Sequence, residues 1–269
     1  MKFTRYFLWV WMTLVLVSLT GCQADSETLP EPQPVKGVVA VRSQGAWENE
    51  NSPSLFVGNT KSNDDEMLVY TLEVWTREAT PRRVLRQTLN GSMTGGAQFE
   101  IALISGVYDF LFWADYGNGH YLTADLRQVT VETEAYRPGA QNDAFACAVE
   151  QVEWSGNTVL NAILKRPMAR INIHNAEAFD QANPVSMVYG ELYTSYDVLT
   201  GEVSAIQQDV SVSFPETTVG STLVGEDFLF VPIEGESAMS FSVSVGDVTK
   251  DAEDVVLRSN YSTNVTVSF

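Results

Sequence analysis

The chain has 269 residues, is 45% hydrophobic and carries 16 Lys and Arg against 34 Asp and Glu, a formal net charge of −18 at pH 7. Nucleic acid and anionic lipid repel a protein this acidic, which excludes both as electrostatic partners. The 2 cysteines exclude a disulfide framework, and the length is enough for two domains of ordinary size.

The chain opens on Met1-Lys2-Phe3-Thr4-Arg5, a basic start, followed by an apolar run over residues 7–19. That run is shorter than the roughly 20 apolar residues a spanning helix needs. A basic start, a short apolar core and small residues at its end describe a secretory signal. The run closes on Leu19-Thr20-Gly21-Cys22, the pattern of a bacterial lipobox. On this reading residues 1–21 are a lipoprotein signal peptide, and Cys22 becomes the lipidated first residue, held stably by two acyl chains or more. Lys2 and Arg5 leave with the signal and no acid does, so the remainder is more acidic still. Residues 22–35 are polar and acidic, with Pro30, Pro32 and Pro34, and predict a flexible tether.

Beyond the tether the pattern is β. Val38, Val39, Ala40 and Val41 form a β-prone segment closed by Arg42. Leu68, Tyr70, Leu72 and Val74 alternate on one face of a strand, residues 84–89 form another, and Asn90-Gly91 reads as a turn. Phe99, Ile101 and Leu103 alternate with Glu100 and Ala102. After Ser105-Gly106, residues 107–115 put Tyr108, Phe110 and Phe112 on one face and Val107, Leu111 and Trp113 on the other. A strand that apolar on both sides is central and covered twice. Gly117-Asn118-Gly119 ends it, and residues 129–131 look extended. Residues 143–152 predict a short helix, with Phe145 and Val149 one turn apart.

Alternation resumes over residues 159–173, broken by Pro167. Residues 175–179 read as one helical turn, 187–196 as a strand and 199–201 as a turn. Val210, Val212 and Phe214, then Phe241, Val243 and Val245, then Val265, Val267 and Phe269 alternate with polar residues. Residues 228–233 read as a strand with Pro232 near its end, which marks an edge or a bulge. Short strands with turn residues between them predict an all-β protein of sandwiches. A boundary at Lys165-Arg166-Pro167 divides it into domains 36–165 and 166–269, with no fixed-period repeat.

Chemistry-bearing patterns are sparse. There is no Gly-x-Ser-x-Gly, His-Glu-x-x-His, phosphate loop or dinucleotide fingerprint, so neither an enzyme nor a cofactor is expected. His120 and His174 have no His or Cys at ligand spacing, and Asn63-Asp64-Asp65-Glu66 lacks the spacing and Gly of a calcium loop, so no metal site is expected. Cys147 sits in an apolar setting and reads as a buried small hydrophobe. Trp47, Trp75, Trp113, Tyr116, Tyr121 and Trp154 are the candidates for an exposed aromatic platform that would bind glycan or protein, although Trp113 reads as core.

Residues 106–115, then Asp143-Ala144-Phe145, then residues 164–173, 196–201 and 259–264 together resemble the fimbrillin-type lipoproteins of Bacteroidetes, a family that includes pilin subunits. The resemblance spans most of the chain after Cys22 and rests on packing and turn motifs. It implies two transthyretin-like, Greek-key β-sandwich domains in tandem with minor short helices. It also implies a lipoprotein held in the outer membrane at the cell surface through Cys22. In polymerising members a protease cuts after an Arg or Lys near the first strand, and a strand of the next subunit fills the groove left behind. Carried onto this chain, the cut falls after Arg42 and the displaced strand is Val38, Val39, Ala40 and Val41. The implied partners are other fimbrial subunits by strand exchange and a host or bacterial surface ligand. A permanent first strand is the alternative, because a lone Arg at a strand end is common. At the other terminus, Val265, Val267 and Phe269 form either the donor strand or the last strand of their own domain. The second case fits a tip or accessory subunit, or a lipoprotein that never polymerises.

Overall fold

The computed structural model describes residues 32–48, 66–132, 136–232 and 235–269. Cys22, the apolar run before it and Asn63-Asp64-Asp65 lie outside the described residues. From Pro34 to Phe269 the chain forms one compact unit.

Sixteen strands and two 3-10 turns make up the described residues. In the first half, β1 (Val35–Ser43), β4 (Ala97–Leu103) and β9 (Thr158–Leu164) form a three-stranded sheet in the order β4-β1-β9. Facing it, β2 (Met67–Thr76), β3 (Arg83–Ser92), β5 (Gly106–Asp115) and β8 (Ala144–Trp154) form a sheet in the order β3-β2-β5-β8. Val39, Val41, Phe99, Ile101, Leu103 and Leu164 from the first sheet pack on Leu68, Tyr70, Leu72, Phe110, Phe112 and Phe145 from the second. Each strand contributes alternate residues, so period-2 apolar patterning places one face of each sheet in a shared core.

The second half repeats this plan. β10 (Met168–Asn175) lies between β13 (Leu223–Phe230), antiparallel, and β16 (Ser262–Val267), parallel, just as β1 lies between antiparallel β4 and parallel β9. β11 (Val185–Tyr196) pairs with β12 (Val203–Phe214) and β14 (Ser237–Val245), and β14 with β15 (Val248–Leu257). A second core of Ile171, Ile173, Met187, Tyr189, Leu229 and Val243 fills this sandwich. The sandwich expectation therefore holds. The duplication escapes sequence inspection because it lies in topology, while loop lengths and side chains differ between the halves.

A third cluster joins the two. Leu111 and Trp113, on the face of β5 opposite Phe110 and Phe112, pack with Tyr121, Leu126, Val129, Met168, Tyr196, Phe228 and Phe230. β7 (Val129–Val131) pairs with β6 (Tyr121–Leu122) and also with Ser195 and Tyr196 of β11, so one sheet carries strands from both sides of Lys165. The expectation that β5 is covered twice is met, although Val107 stays 45% exposed.

Three local expectations need correction. The helix expected over residues 143–152 is instead the strand β8, which runs from Ala144 to Trp154. Phe145, Cys147 and Val149 face the first core while Ala144, Ala146 and Ala148 face the third, and pairing with β5 outweighs the helix propensity of the alanines. Residues 175–179 form no helix. The amide of Ala176 donates to the Val267 carbonyl at 2.8 Å and that of Phe179 to Ser221 at 3.0 Å, so these amides bond to distant backbone. Asn90 and Gly91 lie inside β3, and the turn follows at residues 93–95. Gly91 is needed for a close approach, since a Cβ there would sit 2.2 Å from the Gly96 carbonyl oxygen. The strand read at residues 228–233 begins earlier and ends at Phe230, and it is an edge strand, as Pro232 indicates.

Candidate functional site

β1 holds the segment that the family resemblance points to. Val38 to Val41 pair in antiparallel register with Glu100, Phe99, Gln98 and Ala97 of β4, and in parallel register with Val159, Leu160, Asn161 and Ala162 of β9. The strand is thus central, and its loss would leave β4 and β9 with unpaired inner edges. Val39 is fully buried and Val41 4% exposed. Burying two such side chains stabilises by about 1.5–3 kcal/mol each. Gly37 makes the fit possible, because a Cβ there would lie 2.4 Å from Cη2 of Trp154. The Trp154 indole N–H in turn donates to the Val35 carbonyl at 3.0 Å.

Arg42 sits one residue past the end of the β1–β4 ladder, pairs only with Ile163 of β9, and is exposed. The chain after it is held by a different set of contacts. The Ser43 hydroxyl donates to the Met93 carbonyl at 2.7 Å, and the Gln44 amide to the Leu164 carbonyl at 2.8 Å. Arg166 Nη1 donates to the Gln44 carbonyl at 3.1 Å. The same guanidinium makes a two-pronged ion pair with the buried Asp143, through Nε at 2.8 and 2.9 Å and Nη2 at 2.8 Å. It also lies 4.1 Å from the Trp47 ring centroid and 4.6 Å from that of Phe145. Glu48 completes the attachment by donating its amide to the Asn260 carbonyl at 3.0 Å. Arg42 therefore divides a strand seated in the first core from a segment clamped at the seam between the halves. Sequence reading passed over Arg166, Asp143 and Trp47 as a group. Their one visible signal is the Arg-Pro pair at the domain boundary, and the partners lie too far along the chain for spacing to connect them.

At the opposite end β16 runs parallel to β10, with Ile173 opposite Val265 and Asn175 opposite Val267. Val265, Val267 and Phe269 are partly buried against the second core, and the Phe269 amide donates to Asn175 Oδ1 at 3.0 Å. Asn172 Nδ2 donates to Asn264 Oδ1 at 2.9 Å. β16 is an edge strand seated in its own sandwich, in the place β9 holds in the first half.

The six aromatic candidates form no open platform. Trp47, Trp113, Tyr121 and Trp154 are buried, while Trp75 and Tyr116 are half-buried. Arg127 lies 5.3 Å from the Trp75 ring centroid, and the Tyr116 hydroxyl donates to Glu66. Burial pulls the His120 imidazole down to about 4, which keeps that ring neutral at pH 7, and burial also lowers His174. Burial pushes the Cys147 thiol up, away from the reactive thiolate. Among the described residues no three His, Cys, Asp or Glu side chains are grouped to hold a metal ion.

Comparison with known proteins follows the geometry. The family described as "Family of unknown function (DUF6562)" matches residues 32–269. No curated protein matches the chain. Among solved structures, the tip fimbrial protein Mfa3 of Porphyromonas gingivalis, with a C-terminal truncation, is similar at 13% identity and a TM-score of 0.50, covering 82% of this chain and 81% of that one. A candidate adhesin from Bacteroides ovatus is similar at 10% identity and a TM-score of 0.50, covering 86% and 78%. A candidate cell adhesion protein from Parabacteroides distasonis is similar at 11% identity and a TM-score of 0.50, covering 88% and 89%. At these identities the likeness is one of fold.

Proposed function

The chain belongs to the family of unknown function DUF6562, and we propose that it is a non-catalytic, lipid-anchored protein of the cell surface that serves as a fimbrial subunit, or as a tip or accessory adhesion component, assembling by β-strand donation. Cys22 carries the lipid in the outer membrane, Arg42 is the maturation cut, and Val38, Val39, Ala40 and Val41 belong to the strand the cut releases. The observation that carries this reading is the position of β1, the central strand of its sheet and the first strand of the fold, followed by an exposed Arg and then by a clamped segment. Removing a central strand opens a groove with backbone edges on both sides. An incoming strand gains affinity from both ladders and specificity from the pockets of Val39 and Val41. Val265, Val267 and Phe269 have the alternation such a strand needs, and their release from the edge of the second sandwich would make them the donor.

A second reading is a stand-alone surface lipoprotein that binds a glycan or host protein. The seating of both β1 and β16 within one chain favours it, because each sandwich is then complete without a partner. Mass spectrometry of the N-terminus of protein recovered from its native cell surface separates the two. A terminus at Ser43 is the outcome expected for strand exchange. A lipidated Cys22 on every recovered chain would keep β1 in place and leave the stand-alone reading.

A further inference from the structure

We propose that the seat of β1 accepts only a strand with glycine at the position of Gly37, so that a strand exchanged into it comes from a different subunit and not from a second copy of this chain. The proposal rests on the strand-exchange reading and names its partner. β1 turns Val35, Gly37, Val39 and Val41 toward the first core. A Cβ on residue 37 would lie 2.5 Å from Cζ2 of Trp154 and 2.7 Å from the Thr158 carbonyl oxygen. Both distances are well inside van der Waals contact, so any side chain there overpacks the core. Both obstacles belong to the receiving groove and stay when β1 leaves. The Thr158 oxygen is main chain of β9. Trp154 is 1% exposed, its ring centroid lies 5.7 Å from that of Phe110, and its backbone pairs with Gly106 of β5. Its indole N–H, which donates to the Val35 carbonyl at 3.0 Å, pins the register by requiring a strand carbonyl two residues before the glycine.

The groove therefore asks for an extended strand with glycine followed, two and four residues later, by β-branched side chains that fill the places of Val39 and Val41. Ladders to β4 and β9 tolerate any sequence, so the glycine slot carries the discrimination. β16 fails this requirement. With Val265 and Val267 in the places of Val39 and Val41, Thr263 falls at position 37 when the strand runs in the direction of β1, and Phe269 falls there when it runs the opposite way. Either side chain meets Trp154. Of the 18 glycines in the sequence, only Gly37 is followed by Val or Ile at both the second and the fourth residue after it. No other stretch of this sequence carries what the groove requires, and β16 is left as a donor to a groove of another shape.

The test uses the full-length protein nicked once after Arg42, unfolded in urea and refolded with an excess of a fluorescent peptide, with uptake read by anisotropy. The peptides are residues 34–42, the same peptide with Gly37→Ala or with Lys36→Ala, and residues 262–269. The variation lies in the peptide, so the folding of the host is common to every measurement. The 34–42 peptide should be taken up, and Gly37→Ala should weaken it by about tenfold or more. Lys36 is exposed, so Lys36→Ala should keep uptake within about threefold. The 262–269 peptide should compete no better than the alanine peptide. Equal uptake of the glycine and alanine peptides, or uptake of 262–269 as tight as that of 34–42, overturns the proposal and leaves strand exchange standing. Uptake of none of the peptides overturns strand exchange itself, and the proposal with it.

Discussion

At the residue scale, the charged groups inside the fold are placed by hydrogen bonds that spacing does not reveal. Asp227 is fully buried in β13, where its Oδ2 accepts from the Tyr136 and Tyr189 hydroxyls at 2.8 and 2.6 Å and its Oδ1 from the Phe228 amide at 2.9 Å. Burial nonetheless outweighs these donors and pushes the carboxyl up to about 6. The folded state therefore holds the proton more tightly than the unfolded chain. The stability this contributes is present below pH 3.8 and is lost as pH rises through about 6. A shift of this size corresponds to about 3 kcal/mol. Urea denaturation of the wild type and of Asp227→Asn at pH 4 and pH 7 isolates it. The wild type should lose ground against the variant by up to that amount between the two pH values, and a constant difference would assign the proton elsewhere. Arg166 is the second such residue. Arg166→Ala strands the Asp143 charge in the interior and should cost about 3–5 kcal/mol in a denaturant titration, whereas a cost under 1 kcal/mol would mean that water reaches the carboxylate.

At the element scale, β1 and β16 differ in what holds them. β1 has a partner on each side and two valines in the core, while β16 has one partner and residues only partly buried. Gly37 supplies the means of loosening β1 alone. Gly37→Ala forces a Cβ against Trp154 and the Thr158 carbonyl oxygen, at 2.4 and 2.7 Å, an overpacking that costs about 1–3 kcal/mol. If a protease reaches Arg42 only when β1 lifts out, limited trypsin digestion should cleave after Arg42 several-fold faster in Gly37→Ala than in the wild type. An equal rate would mean that the bond is open in the intact sheet. The same comparison explains what was legible here. The β-prone apolar run of residues 38–41 and the closing Arg identified β1 as a strand, but its central place depends on β4 and β9, which reach it from residues 97–103 and 158–164.

At the scale of the whole molecule, we propose that 36–165 and 166–269 are two sandwich domains that unfold as one. Each half has its own core, and the third cluster with the β7–β11 pairing binds them together. Trp113, 1% exposed, is central to that cluster, with Tyr121, Tyr196 and Phe230 ring centroids at 5.2, 6.4 and 6.3 Å. Calorimetry should show a single transition in the wild type. Trp113→Ala should lower stability by about 3–5 kcal/mol and split that transition. Two transitions already present in the wild type would make the halves independent.

The sequence by itself determined the class of the fold, the position of most strands and the double burial of β5, because period-2 alternation and turn residues are local signals. It also supplied the lipobox reading and the resemblance that directs attention to Arg42. Only the tertiary structure decided that residues 144–154 are strand, that β1 lies between two neighbours, that the halves share one topology and that Arg166 clamps the chain after Arg42. Each of these depends on contacts between residues tens to more than a hundred positions apart. Such contacts form when sheets pair and cores close, and a one-dimensional pattern carries no record of them.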